Sequence, residues 1–320
     1  MTNRNALKLS RIISSLLIFT FFAVTSFIVP DTFAQRRTNR TATQSASAKS
    51  ITVQTEPGAI IWLDEVRRGL TDESGKLVIK TVAAGRHTLR VRASGFSERT
   101  LGILPTQRGT VSVKLTRTTN EAELAFQKAE EARERARDDE TRSQSAELYR
   151  RALKLRPNFA AAHLGLARLL LDMSDYKSAL SEIDEARADR PVYAEASAVE
   201  GRILREMAFE DRAIESFRRS IREAHGFQPE AHTGLARVYE DKGQLEQAVE
   251  EYRAALAQLS DTEPVIYQLL GSVYEKLQKY RDAVSAYEKY LELAPNGTLA
   301  PAIRSIIDQL KQQAAEQATP

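Results

Sequence analysis

The 320-residue chain has no cysteine. Disulfides, thiol nucleophiles, thiolate zinc sites and iron–sulfur clusters are excluded together, and the redox compartment is left open. Histidine is scarce, with four residues at His87, His163, His225 and His232. No HExxH pattern, no paired metal-ligand spacing, no GxSxG nucleophile elbow and no phosphate-cradling glycine loop is present. Carboxylates abound, but interleaved with Lys and Arg as solvated helix faces are. The expectation is a protein without catalytic residues, cofactor or metal.

Tryptophan is limited to Trp62. In the run AIIWLD (59–64), Ile60 and Trp62 share one side of a strand and Ile61 and Leu63 the other, so neither side reads as solvent-facing. Core packing is therefore expected for Trp62 ahead of a sugar-stacking role.

What is present is 42% hydrophobic and 28% charged residues, a composition that suits soluble, helix-rich domains. The net charge of +3 hides an asymmetry: residues 1–118 carry +11 and the remainder −8. A basic front invites a nucleic-acid reading, but no aromatic-basic stacking platform accompanies it, and no nucleic-acid partner is expected.

Arg4, Lys8 and Arg11 precede an uncharged run from Ile12 to Val29, followed by Pro30 and the small-residue ending Thr32-Phe33-Ala34. That is the layout of a secretory signal over residues 1–34, cleaved after Ala34. The 18-residue run also reaches the lower limit for a retained membrane anchor. Both readings place the rest of the chain outside the cytoplasm, in the periplasm or cell envelope. Residues 35–50, polar and basic, read as a flexible linker able to rest on an anionic membrane surface.

From Ile51 the pattern changes to period two. HTLRVRA (87–93) sets His87, Leu89, Val91 and Ala93 against Thr88, Arg90 and Arg92; VSVKL (111–115) alternates likewise. KLVIKTV (76–82) and AIIWLD supply further strands, with turn signals at Pro57-Gly58, Ser74-Gly75, Ala84-Gly85, Ser94-Gly95 and Arg108-Gly109. A small antiparallel β-sandwich over 51–117 is expected, with Arg86, Arg90 and Arg92 on a solvated basic face. The segments TEPGAIIWLD (55–64), GKLVIKTVAAGRHTLRVRASGF (75–96) and VSVKL resemble the PEGA domain family, although the signature reads Glu56-Pro57-Gly58-Ala59 in this chain. The resemblance implies a compact sandwich of surface and envelope proteins, without catalytic residues.

The remainder repeats itself. AELYRRALKLRP (146–157), DYKSALSEIDEARADRP (175–191), FEDRAIESFRRSI (209–221), QLEQAVEEYRAAL (244–256) and KYRDAVSAYEKYLELAP (279–295) are copies of one phrase. Small residues align at Ser145, Ala179, Ala213, Ala248 and Ala283, spaced by 34, 34, 35 and 35. Bulky residues follow four positions later at Tyr149, Ile183, Phe217, Tyr252 and Tyr287. In the preceding helices Ala167, Gly201, Ala236 and Gly271 each stand three residues before Leu170, Leu204, Tyr239 and Tyr274. These marks resemble the tetratricopeptide repeat, a helix-turn-helix of 34 residues. The resemblance implies an all-α superhelix, or solenoid, of about five repeats over 118–297, opened by a helix at 120–140 and capped by one at 298–316. His163 and His232 fall where such repeats place an aromatic, and packing accounts for both.

The resemblance also implies a concave groove lined by the first helix of each repeat, at repeat positions two, five, nine and twelve. Position nine reads Arg168, Arg202, Arg237 and Ser272; position twelve adds Arg205 and Glu240; position two adds Glu195 and Glu230. Such an arginine ladder could grip the carboxylates of an extended acidic peptide or a chain terminus. The competing reading is internal pairing with Glu195, Glu206 and Glu240. Position five holds Leu164, Ala198, Thr233 and Gln268, which departs from the carboxylate clamp of chaperone-binding relatives.

The expected protein is thus an exported, non-enzymatic adaptor of the cell envelope that binds a protein or peptide in its groove. The alternative makes the β-domain the binding end, for envelope polysaccharide, the cell wall or a secretion assembly, with the repeats as spacer or oligomerisation module. Salt-sensitive self-association between basic front and acidic back is a third reading. N-terminal sequencing of protein from a native fractionation separates cleavage from anchoring: a first residue of Gln35 marks cleavage, and a start ahead of Ile12 marks a retained anchor.

Overall fold

Period-two patterning between Lys49 and Ser112 becomes seven strands in a computed structural model, which describes residues 49–64, 66–82, 86–259 and 263–317. The export segment, nearly all of the linker, the Ala84-Gly85 turn and residues 260–262 lie outside the described residues. The strands are β1 (Lys49–Gln54), β2 (Ile60–Leu63), β3 (Val66–Leu70), β4 (Lys76–Val82), β5 (His87–Arg92), β6 (Arg99–Ile103) and β7 (Gly109–Ser112). They form two sheets, ordered β4-β1-β7 and β3-β2-β5-β6. Ile51, Val53, Ile79 and Val111 of the first sheet share one buried cluster with Ile61, Leu63, Leu89, Val91 and Ile103 of the second.

Three features differ from the sequence expectation. β7 runs parallel to β1, with Val53 opposite Val111, whereas the alternation suggested antiparallel pairing throughout. β3 and β6 carry no clean apolar alternation, because each lies at a sheet edge with much of both faces wet. Trp62 is not a core residue: it is only partly buried and lies on the sheet face opposite Ile61 and Leu63. At the turn before β4, Gly75 has φ +74°, and a Cβ there would meet the Thr55 carbonyl oxygen at 2.0 Å, so only glycine fits.

The helices are α1 (Glu121–Arg135), α2 (Asp139–Leu155), α3 (Ala160–Asp172), α4 (Tyr176–Asp189), α5 (Ala194–Glu206), α6 (Glu210–Glu223), α7 (Pro229–Asp241), α8 (Leu245–Gln258), α9 (Pro264–Lys276), α10 (Tyr280–Leu293) and α11 (Ala300–Gln317). None of the described helices is long and apolar enough to cross a membrane. The helix expected over 120–140 ends at Arg135, since Ala136 turns extended and the Asp138–Thr141 capping box opens α2. α7 and α9 begin at Pro229 and Pro264, where the missing N–H costs nothing.

Each first helix from α3 onward closes in the same way. Ser174, Ala208, Gly243 and Gln278 are left-handed, with φ of 62°, 58°, 70° and 56°. The next residue's N–H then reaches back to the carbonyl of the bulky position: Asp175 to Leu170, Phe209 to Leu204, Gln244 to Tyr239 and Lys279 to Tyr274, at 2.8–2.9 Å. This cap reverses the chain within a few residues and sets the second helix against the first.

The stack follows from size alternation. Ser145, Ala179, Ala213, Ala248 and Ala283 are all fully buried where the helices of a pair cross, and Tyr149, Phe217 and Tyr252 are buried equally. Phe217 shows why. A Cβ on Gly201, in its own repeat, would come within 2.8 Å of the Phe217 ring, and one on Gly234, in the next repeat, within 2.3 Å. The ring fills a gap that two hydrogen-only positions create, and it binds neighbouring repeats into one core. α11 covers the far end, burying Ile303, Ile307 and Leu310 in the cluster that contains α10.

Phe217→Ala is expected to cost about 3–5 kcal/mol, read as a lower midpoint in chemical denaturation followed by circular dichroism. Ala208→Gly, at an exposed left-handed position, is expected to gain about 0.5 kcal/mol after glycine's extra unfolded-state freedom is subtracted.

Candidate functional site

The inner helices α1, α3, α5 and α7 face the outer side of the β3-β2-β5-β6 sheet, and a cavity of about 680 Å³ lies between them. Arg168 on α3, Arg202 and Arg205 on α5, and Arg237 on α7 all line it. The spacing of the repeats brings these arginines together, as the sequence pattern suggests. Their charge is not left open. The lining holds six arginines and six glutamates, so the cavity is balanced and not a bank of positive potential.

The four arginines divide by environment. Arg168 is partly buried and stands 3.8 Å from Glu195; burial works against its charge, and the carboxylates of Glu195, Glu230 and Glu130 outweigh burial and raise its pKa. Arg205 bonds Asp241 at 2.7 Å and Glu206 at 3.0 Å. Arg202 is half exposed and 3.5 Å from Glu230. Arg237 is exposed, near the Tyr252 hydroxyl, and among the described residues no carboxylate lies within ion-pair distance of it. Glu195 and Glu206 thus pair inside the groove as the competing reading had it, while Glu240 turns instead to Tyr252 at 2.6 Å and Lys276 at 2.8 Å.

The sandwich itself forms a wall of this groove, which the expectation of a solvated basic face did not include. Arg90 and Arg92, expected on a solvated face, are mostly buried against the repeats. Arg90 donates to Glu195 at 2.8 Å across the two parts of the chain, with side-chain exposures of 12% and 8%. Arg92 bonds Glu98 at 2.7 Å and reaches Glu130 on α1 at 3.4 Å. Arg67 bonds Glu134 at 2.7 Å. The Trp62 ring carries the Arg90 and Arg92 guanidinia at 4.3 and 5.1 Å, which is why this tryptophan stays out of the core. Arg86 alone of the three is exposed. The charge asymmetry between front and back, readable as a drive to self-association, is met in part within one chain. An available signal was the period-two arginine pair on β5, with an acid-bearing helix array downstream.

Glu130 on α1 also lines the cavity, beside Arg92 and Arg133. Burial alone would raise its carboxyl, but Arg133 and Arg92, the Tyr149 hydroxyl and Arg168 together hold its pKa below the usual value. Burial and Glu130 in turn push the Tyr149 hydroxyl well up. The histidines lie elsewhere and do more than pack. His163 contacts Glu182 through Nδ1 at 2.6 Å and the Pro157 carbonyl through Nε2 at 2.9 Å, and His232 contacts Glu251 at 2.6 Å. Each bridges the two helices of its own repeat. Among the described residues no group of three or more His, Asp or Glu is placed to hold a metal ion.

Residues 125–203 and 227–296 each match a model of the tetratricopeptide repeat. The helical array is built of tetratricopeptide repeats (TPRs). No curated protein matches the chain. Among solved structures, the TPR array is similar to PilF of Pseudomonas aeruginosa, at 16% identity and TM-score 0.49, over 62% of this chain and 93% of that one. It is similar also to a thermophilic TPR protein of Thermus thermophilus, at 21% identity and TM-score 0.48, over 58% and 99%. A third is YrrB, described as a TPR protein with an unusual peptide-binding site, at 17% identity and TM-score 0.42, over 59% and 94%.

Glu130→Gln is expected to lose about 1.5–3 kcal/mol of stability at pH 7, because three arginines lose part of a buried counter-charge. The folded pKa of Glu130 lies below its ordinary 4.5, so its contribution is present above that value and drains away as pH falls through the folded pKa. The difference between wild type and variant in denaturant midpoints should therefore shrink on acidification below pH 4.5.

Proposed function

We propose that this chain is a non-enzymatic scaffold of the cell envelope that holds a protein or peptide partner in its TPR groove. The observation that carries this reading is the groove cavity, in which Arg202 and Arg237 keep exposed guanidinia beside the apolar surfaces of Trp62, Leu259 and Ile266. An extended peptide presents both chemistries at once: a carboxylate for the two arginines and an apolar side chain for the wall. Arg168 and Arg205 then serve to shape the groove, since their guanidinia are engaged with Glu195, Glu206 and Asp241. The stacked helices are ordered in advance, so the peptide bears most of the ordering cost.

Export and envelope location rest on the basic residues, apolar run and small-residue ending of residues 1–34. A PEGA-like identity for the sandwich rests on the segments 55–64, 75–96 and 111–115, and it fits the same compartment. The spacer alternative is less favoured, because the sandwich face that bears Trp62, Arg90 and Arg92 is engaged by the repeats through Glu195 and Glu130.

Immobilised full-length protein and its Arg202→Glu/Arg237→Glu variant, exposed in parallel to an envelope extract, test the reading. Partners retained by the wild type are expected to bind the variant at least about tenfold more weakly, or about 1.4 kcal/mol. Retention of the same partners at equal strength by both proteins discards the arginine site.

A further inference from the structure

The contacts between sandwich and repeats have an unusual composition. The apolar core of the sandwich is one cluster, and those of the repeats are two others; no buried apolar cluster runs across the junction. What crosses it is polar or cation–π: Arg90 to Glu195, Arg92 to Glu130 and over the Phe126 ring at 4.6 Å, Arg67 to Glu134, Arg68 at 6.0 Å from the Phe227 ring, and Gln127 bonded to the Gly95 N–H and the Phe96 carbonyl at 2.8 Å each. Ion pairs of this kind repay little more than the desolvation they cost, and exposed ones are weakened by salt. A junction without shared apolar core is one that opens.

The contacts are also arranged around a pivot. Ser97 N–H bonds the Thr116 carbonyl and Thr118 N–H the Gly95 carbonyl, so the chain belongs to the sandwich as far as Thr118. Asn120 already caps α1 by accepting from the Glu123 N–H. Thr119 is the single residue left between the two. The Gln127 bonds lie beside this pivot, on α1, whereas Glu195 lies two repeats along, on α5. A small rotation at Thr119 therefore keeps the near contacts and breaks the far ones, Arg90 to Glu195 and Arg68 to the Phe227 ring.

Size gives the rotation a purpose. A cavity of about 680 Å³ has room for a few side chains, within the range of small-ligand pockets, and not for a peptide running the length of the array. We propose that the sandwich is a hinged clasp over the TPR groove, held shut by Arg90 on Glu195, which swings away about Thr119 to admit a partner whose carboxylate replaces Glu195 against Arg90. The consequence for partner binding rests on the groove function proposed above; the opening itself does not.

Trp62 reports on this directly. It is the only tryptophan of the chain, it lines the cavity, and it is stacked by Arg90 and Arg92. Acrylamide quenching of its fluorescence is measured in the full chain for wild type, Arg90→Glu, Glu195→Arg and the double variant, at low salt and near 1 M NaCl, a range over which the screening length falls about threefold or more. Each single variant is expected to raise the quenching constant about twofold or more as the open form becomes populated, and the charge-swapped pair to restore it. Glu195→Arg leaves the sequence of β5 intact and so complements Arg90→Glu. Added salt is expected to move the wild type in the same direction by a smaller amount, because Arg90 and Glu195 are largely buried and are screened less than an exposed pair. Should Glu195→Arg fail to fold by circular dichroism, Glu195→Gln takes its place. A Glu195 variant that is folded and quenched like the wild type overturns the clasp. No partner enters this measurement. A groove that opens and retains nothing refutes the binding function alone, and one that binds while Trp62 stays shielded in the Glu195 variant refutes the clasp alone.

Discussion

A large side chain seated on a position that has none holds the helical array together. Phe217 lies against Gly201 of its own repeat and Gly234 of the next, at distances no Cβ would tolerate, and Tyr149 and Tyr287 meet Gly165 and Gly271 in the same manner. One repeat alone would leave such a ring half uncovered. Burial becomes complete only when the following repeat arrives, so each brick is stable through its neighbour. The left-handed caps at Ser174, Ala208, Gly243 and Gln278 make this possible by fixing the angle between paired helices in the same way each time. With that angle fixed, the inner helices line up, and residues one repeat apart, such as Arg168, Arg202 and Arg237, converge on one surface.

Electrostatics then decides what that surface can do. A row of arginines suggests an anionic ligand, but a row of glutamates is interleaved with it, from α1 to the start of α9. Arg168 and Arg205 are engaged by carboxylates, Glu130 is held ionised by arginines around it, and the sandwich adds Arg67, Arg90 and Arg92 to the same network. Pairing at this density lets charged groups occupy a partly dry groove without a net field. It also leaves Arg202 and Arg237 as the accessible arginines of the ladder. The sandwich is not a bead on a string in this arrangement; its outer sheet face completes the groove.

The readable part of this molecule was the part whose structure is decided by near neighbours in sequence. The small and large positions of the repeats recur every 34 or 35 residues because each repeat solves the same packing problem, and one solution shows up as a period. β1, β4 and β5 show alternation because one face of each is buried, whereas β2 is apolar on both sides because its second face is turned to the repeats. β3 and β6 were missed because an edge strand has little need to alternate, and the parallel β1–β7 pairing was missed because direction is a matter of chain path and not of side-chain pattern.

The sequence by itself determined the repeats, their register, the two-sheet sandwich and the positions at which arginines line the inner helices. All of these follow from apolar burial over short stretches, where periodicity is the physical requirement. Tertiary structure alone decided the fate of the charges. Arg90 and Glu195 are separated by 105 residues, and nothing near either one announces the other. An arginine on a strand looks the same in sequence whether water or a carboxylate receives it. Only the folded chain, by bringing a particular sheet face over a particular groove, settles which of the two it is.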